Sequence, residues 1–330
     1  MANLLRRAIQ QSISDAFDFA KVFATTLYTG TGAAQDIVSG LDFIGNGGLV
    51  WGKTRSISGS NFIQDTLRPN LFLKTDLTDA EASALGTFIT SYSSNGYTLG
   101  TGSAVNNSGT TYVAWQFMEK QGFFDIVEYT GDGVAGRTVA LDLDDGSAVF
   151  GMSIVKRKDG TSPWYVQHKD IAATNYLSLN ETTASAVNAN MWDNTTATSS
   201  ALTVGTNNNG NGFSYISYNF AHNPTKGIYC GSYTGTGAVG NKITTGFPVG
   251  WVMIKKADSV AAWVILDNVR GVTDASQKVL VPNTNAAENV STFFDTAFDV
   301  DGFTLNNQRT ELNVSGGSYI FMAIADPAQF

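Results

Sequence analysis

One string is written three times in this chain, and that constrains the fold before any residue is given chemistry. Ser108-Gly109-Thr110-Thr111-Tyr112-Val113-Ala114-Trp115-Gln116-Phe117 returns as Gly212-Phe213-Ser214-Tyr215-Ile216-Ser217-Tyr218-Asn219-Phe220. It returns again as Ser315-Gly316-Gly317-Ser318-Tyr319-Ile320-Phe321-Met322-Ala323-Ile324. Each copy has turn residues and then an alternating apolar run with a tyrosine at the same place. From Tyr112 to Tyr215 to Tyr319 the steps are 103 and 104 residues (215 − 112 and 319 − 215). A fixed period implies one structural unit used repeatedly.

Other text keeps the same period. Tyr28-Thr29-Gly30-Thr31-Gly32, Tyr129-Thr130-Gly131-Asp132-Gly133 and Tyr233-Thr234-Gly235-Thr236-Gly237 each end a strand-like run in a Gly-rich turn. A second apolar run then closes on a lysine: Lys53, Lys156 or Lys255. Twelve residues further on stands Asp65, His168 or Asp267. The outer copies agree around that position, with Asp65-Thr66-Leu67-Arg68 against Asp267-Asn268-Val269-Arg270. Asn95-Gly96-Tyr97 and Asp301-Gly302-Phe303 carry the Asn-Gly and Asp-Gly pairs suited to a tight hairpin turn; Ser200-Ala201-Leu202-Thr203-Val204 keeps the strand without the turn.

Side chains alternate along a strand, so the closing string can be read for faces. One face takes Val113, Trp115, Phe117 and their equivalents, and should be buried. The other takes Tyr112, Ala114, Gln116 and theirs; it is mixed and expected to be half exposed, where units or subunits meet. A dry face on an antiparallel sheet needs a second sheet over it. The expected fold is therefore mainly all-β, with three tandem antiparallel β-sandwich, jelly-roll-like repeats over 26–120, 121–225 and 226–330. Composition agrees: 15% charged residues, against roughly 25% in an average domain, and 34 glycines.

Residues 1–25 read differently. Leu5, Ile9, Ile13, Ala16, Ala20 and Phe23 recur at helical spacing close to a heptad seam. The spacing predicts an N-terminal helix over 2–24. Two readings stay open: a helix folded back on its own domain, or an anchor and oligomerisation element.

Composition excludes several functions. A net charge of −8 disfavours nucleic acid, which is gripped by basic surfaces. A single cysteine, Cys230, gives no intrachain disulfide framework. No stretch reaches the ~18 apolar residues of a membrane span. Only two histidines exist, His168 and His222, at non-equivalent places and without a nucleophile-elbow motif, so a Ser-His-Asp site is not expected. No zinc-type spacing occurs. Asp142, Asp144 and Asp145 match no defined calcium loop and read as a solvated turn. No cofactor is expected. The recurring Lys53, Lys156 and Lys255, with Asp65 and Asp267, read as structural hydrogen bonds and ion pairs at strand ends, because a fold repeats a group three times where chemistry seldom does.

The repeated text as a set resembles a module of tailed-bacteriophage structural proteins. The set is Tyr-Thr-Gly-x-Gly, a strand ending in Lys, the Trp strands at Trp164-Tyr165-Val166 and Trp263-Val264-Ile265, Asp/Asn-Gly-Phe/Tyr-Thr-Leu, and Gly-x-x-Tyr-Ile/Val. In marine and cyanobacterial phages the module occurs in tandem in tail-fibre and appendage proteins. The resemblance covers about 26–326; the middle unit departs from it at His168 and at the missing turn. It implies a concanavalin- or laminin-G-like sandwich and a virion location after assembly in the bacterial cytoplasm, and carries over no catalytic residue. The expected function is a non-enzymatic virion protein, a tail fibre or appendage, whose partners are other virion proteins and copies of itself, a trimer being compatible. The alternatives are a head decoration protein, or a receptor-binding protein that binds or degrades host-surface glycan, with Trp51, Trp192 and Trp251 as the aromatics that would face the sugar.

Overall fold

The structure, a computed structural model, describes residues 17–271 and 277–330. It is mainly all-β, with every ladder antiparallel. Three principal sheets carry the core, and their strands are numbered here in chain order. The first sheet uses β1 (Phe23–Thr29), β2 (Gly48–Thr54), β3 (Phe62–Asp65) and β4 (Thr111–Met118), in spatial order β1-β4-β2-β3. The second uses β5 (Phe124–Thr130), β6 (Val149–Arg157), β7 (Trp164–His168) and β8 (Ser214–His222), in order β5-β8-β6-β7, extended by Asn175–Ser178 and Ala186–Val187. The third uses β9 (Ile228–Thr234), β10 (Val249–Lys256), β11 (Val264–Asp267) and β12 (Ser318–Ala325), in order β9-β12-β10-β11.

Each closing strand sits between the opening strand and the lysine strand, which is why β4, β8 and β12 are buried almost throughout. The register places Tyr28 opposite Tyr112, Tyr129 opposite Tyr215 and Tyr233 opposite Tyr319. Their rings lie parallel within 6°, 9° and 6° at 4.9, 5.0 and 4.9 Å. Cross-strand aromatic pairs of this kind contribute ~0.5–1.5 kcal/mol beyond area burial.

Smaller sheets overlie the principal ones. Gln35–Val38, Gly96–Leu99 and Ile89–Ser93 form one; Arg137–Ala140 and Ala201–Val204 a second; Asn241–Thr244, Gly302–Leu305 and Thr296–Asp299 a third. They cover the tyrosine face: Phe303 meets Phe321 at 5.3 Å and Tyr233 at 6.4 Å. Tyr112, Ala114, Gln116, Ser217, Asn219, Phe321 and Ala323 are consequently buried. The expected half-exposed face is corrected: both faces of the closing strand are covered. The opposite face does the joining instead. Phe117 lies 5.5 Å from Phe220 and 5.9 Å from Trp251, and Trp115 lies 6.3 Å from Trp251.

The two-residue hairpin turns exist, one position earlier than their dipeptides suggest. Ser93 pairs with Gly96 and Asp299 with Gly302, leaving Ser94-Asn95 and Val300-Asp301 in the turns. The glycines open the return strands. Any Cβ there would run into the carbonyl oxygen of Ile37 or Ile243, and Gly96 also has φ +139°.

Residues 1–16 of the expected N-terminal helix lie outside the described residues. Over the rest the expectation is corrected: Phe19–Lys21 is a single 3-10 turn capped by Asp18, and Phe23 already begins β1. Phe23, Thr25 and Thr26 suit a pleated surface, and pairing with Phe117, Trp115 and Ala114 overrides the helical spacing.

Candidate functional site

The recurring polar residues come together at the junctions between principal sheets. Lys53, Lys156 and Lys255 close β2, β6 and β10 on inward-facing positions, and all three are fully buried. A buried ammonium must have acceptors, and each takes backbone carbonyls from two loops. Lys53 Nζ donates to Gly59 at 2.5 Å and Thr284 at 3.0 Å. Lys156 Nζ donates to Ser162 at 2.8 Å and Thr78 at 3.0 Å. Lys255 Nζ donates to Ala261 at 2.9 Å and Thr182 at 3.3 Å. One carbonyl in each case is local; the other belongs to a different sheet's neighbourhood. Burial lowers each lysine to about 8.

The second column runs along the strand beside the lysine strand. Asp65 and Asp267 are buried, and each holds the arginine three residues on: Arg68 Nη2 at 2.5 Å, Arg270 Nε at 2.6 Å. Each also accepts from the next closing strand. Tyr218 donates its hydroxyl to Asp65 Oδ2 at 2.8 Å, and Trp115 Nε1 donates to Asp267 Oδ2 at 3.0 Å. Such pairs are compensated, not strongly stabilising; removing one partner costs ~3–5 kcal/mol.

His168 takes the same place in the second sheet. The closing-strand residue opposite is Met322, which has no donor, so a carboxylate there would lack its cross-junction partner. His168 accepts from Asp170 N–H at Nδ1 and thus donates from Nε2 to the carbonyl of Phe321 at 3.2 Å. Burial depresses it to about 4, so the ring is neutral. The arginine has gone too: Ile171 stands at the third position on. Charge and counter-charge are therefore replaced together.

A third column was not singled out from the sequence. Asn61, Trp164 and Trp263 donate across the same junctions, to Pro282, to Leu77 and Lys74, and to Ser178. The Lys and Asn/Trp columns run one way round the sheets, from the first to the third, the third to the second and the second to the first, and the Asp/His column runs the other way. The first sheet's Asp65 meets the second, the second's His168 meets the third, and the third's Asp267 returns to the first.

Buried Asn106, Asn209 and Asn313 were also missed. Each side chain clamps a Gly-rich turn: Asn106 accepts from Thr31 N–H and donates to Ala33, while Asn313 accepts from Thr236 N–H and donates to Ala238. Asn209 does the same for Asp132 N–H and Val134. Each precedes the repeated tyrosine by six residues, a signal present in the sequence. Those tyrosines, Tyr112, Tyr215 and Tyr319, close the same loops by accepting from Asn107, Gly210 and Val314 N–H.

The glycan-facing aromatics are corrected. Trp51, Trp192 and Trp251 are 1%, 0% and 0% exposed. Trp51 packs edge-on against Trp115, Trp251 against Phe117, and Trp192 donates to Asn175. Bulk and apolar area placed them in the core, where no sugar can stack. Of the acidic loop, Asp145 pairs with Lys226 and accepts from Ser147 and Ala148 N–H. Among the described residues no group of three or more His, Cys, Asp or Glu is placed to hold a metal ion. No helix among them is long and apolar enough to cross a membrane. No curated protein and no solved structure matches the chain. A family model matches residues 18–327, and through it the chain belongs to the family described as Domain of unknown function (DUF7483).

Proposed function

We propose that this is a non-enzymatic structural protein of a bacteriophage virion, a tail fibre or appendage component, built of three β-sandwich units that close on one another within one chain. The observation that carries the reading is that the recurring ionisable groups are buried at junctions. Lys53, Lys156, Lys255, Asp65, Asp267 and His168 all bond across from one sheet to the next. Groups held in that way serve assembly, and a rigid three-unit body suits a part that must transmit load. The equal strand order of the principal sheets and the paired tyrosines support units near 26–120, 121–225 and 226–330. The resemblance of the repeated text to tailed-phage modules supports the virion setting. Other virion proteins are the expected partners. The glycan reading has lost the aromatics on which it rested.

Immunoelectron microscopy of purified particles, with antibody against this chain, tests the proposal. Label on the tail is expected, and label confined to the head would favour a decoration protein instead. A protein confined to the host lysate, or one that depolymerises host polysaccharide, would sink it.

A further inference from the structure

The three opening strands are the outer strands of their sheets, and two have their free edge covered. In β5 the outward-facing N–H and C=O of Phe124 exchange bonds with Lys120, and Ile126 N–H donates to Glu119 Oε1 at 3.4 Å. In β9 the same groups of Ile228 exchange bonds with Asn223, and the Cys230 carbonyl accepts from His222 Nδ1 at 2.9 Å. The covering residues are the seventh and eighth after Tyr112 and Tyr215.

For β1 the equivalent groups belong to Phe23 and Thr25. Val22 accepting from Met118 and Gly30 donating to Thr110 fix the ladder, so Phe23, Thr25 and Leu27 face outward. Among the described residues, the N–H and C=O of Phe23 and Thr25 have no partner. The seventh and eighth residues after Tyr319 are Asp326 and Pro327. Proline has no N–H to exchange, and the Asp326 carboxylate is taken by Ala328 N–H and Gln329 Nε2. What remains is a crevice of about 270 Å³ between Ala20 and Thr25 on one side and Gly250, Asn268, Val269 and Pro327 on the other.

We propose that this seam is a docking site for an extended peptide segment of a partner protein, added to the edge of β1. Its chemistry is given by the two covered edges: a side-chain acceptor such as a carboxylate, aimed at Thr25 N–H, followed by a non-proline residue that exchanges backbone bonds with Phe23. Strand addition to a free edge is a general mode of peptide capture. The inference does not depend on the virion reading.

The test uses the full chain and a labelled synthetic peptide copying residues 117–122, followed by NMR shifts and fluorescence anisotropy. Saturable binding that shifts the Thr25 amide is expected. Thr25→Pro removes the outward N–H without touching the β4 ladder, and should weaken binding at least ~10-fold, the loss expected for one to two hydrogen bonds. Pro327→Asn restores the self-covering pair and should also abolish binding. No binding to the full chain, or equal binding to Thr25→Pro, overturns the proposal. So does binding that appears only after deletion of 1–16, which would make the chain's own N-terminal residues the occupant. A dimer in light scattering that Thr25→Pro dissolves would make a second copy the occupant and likewise overturn it.

Discussion

The hydroxyl of Tyr218 donates to Asp65 across 153 residues of sequence, at 2.8 Å, while Arg68 holds the same carboxylate oxygen. All three side chains are buried. Asp65→Asn leaves the Arg68 guanidinium with Glu81, at 2.9 Å, as its remaining close carboxylate, and should cost ~1.5–3 kcal/mol. Tyr218→Phe removes two hydrogen bonds to charged groups, the one donated to Asp65 and the one accepted from Arg68, and should cost ~1.5–3 kcal/mol or more. Urea denaturation of the two single variants and the double variant measures both. Because they share one network, the double variant should lose less than the sum.

His168→Asp tests the substitution by which the middle sheet differs. A carboxylate there meets the side chains of Met322 and Ile171, which offer neither a donor nor a counter-charge, so ~3 kcal/mol or more should be lost. Adding Ile171→Arg and Met322→Trp rebuilds the arrangement of Asp267, Arg270 and Trp115, and should recover most of the loss in thermal unfolding. No recovery would mean that the three junctions are not built alike.

Acid should weaken the same junction. His168 is lowered from 6.5 to about 4, so the unfolded chain binds more protons between those values. Stability then falls as pH drops from 6.5 towards 4, by of order 3 kcal/mol for a shift of that size. His168→Gln should flatten that part of the stability–pH curve.

The alkaline limb has the same cause, burial of a basic group. Lys53, Lys156 and Lys255 are lowered from 10.5 to about 8, and again the unfolded chain holds more protons in the window between. Stability should therefore rise from pH 8 towards 10, where tyrosines such as Tyr28, Tyr129 and Tyr233, pushed up by burial, begin to act in the opposite sense. Lys156→Met should reduce the slope by about a third while lowering stability at pH 7, since the Thr78 and Ser162 carbonyls lose their donor. Denaturation midpoints from pH 7 to 10.5 provide the check.

Gly96→Ala separates a turn from a close approach. If Gly96 were needed only to make a turn, Asn95→Ala would be as harmful. Because the Ile37 carbonyl fills the space of the Cβ, Gly96→Ala should cost ~2 kcal/mol or more and Asn95→Ala under ~1 kcal/mol, by thermal unfolding.

Much of the strand layout was legible because local chemistry dictates it. The alternating run after Tyr112, the lysine that closes each central strand and the Gly-rich turns all follow from residues near in sequence. The burial of Gln116, Ser217 and Asn219 was not legible, since small and amide side chains look solvent-facing until a second layer is known to cover them. Nor could the partner of Asp65 be found: Tyr218 and Trp115 read as core aromatics, and nothing local marks their donors as the ones that cross a junction. The period did contain Asn106, Asn209 and Asn313, which a column-by-column comparison would have found. At Phe23 a genuine helical spacing lost to pairing with Phe117, as tertiary contacts outweigh a few tenths of a kcal/mol of propensity.

The bond from Trp115 to Asp267 has a consequence for how the protein is made. Their separation is 152 residues, so at ~5–20 residues per second a ribosome needs on the order of 10–30 s between releasing one and the other. Throughout that interval the face carrying Trp115 and Phe117 lacks the third sheet that will cover it. The first two-thirds of the nascent chain is therefore sticky, and a cell making it in quantity would be expected to need a holding chaperone. The arrangement that buries these faces in the finished body makes its synthesis the hazardous stage.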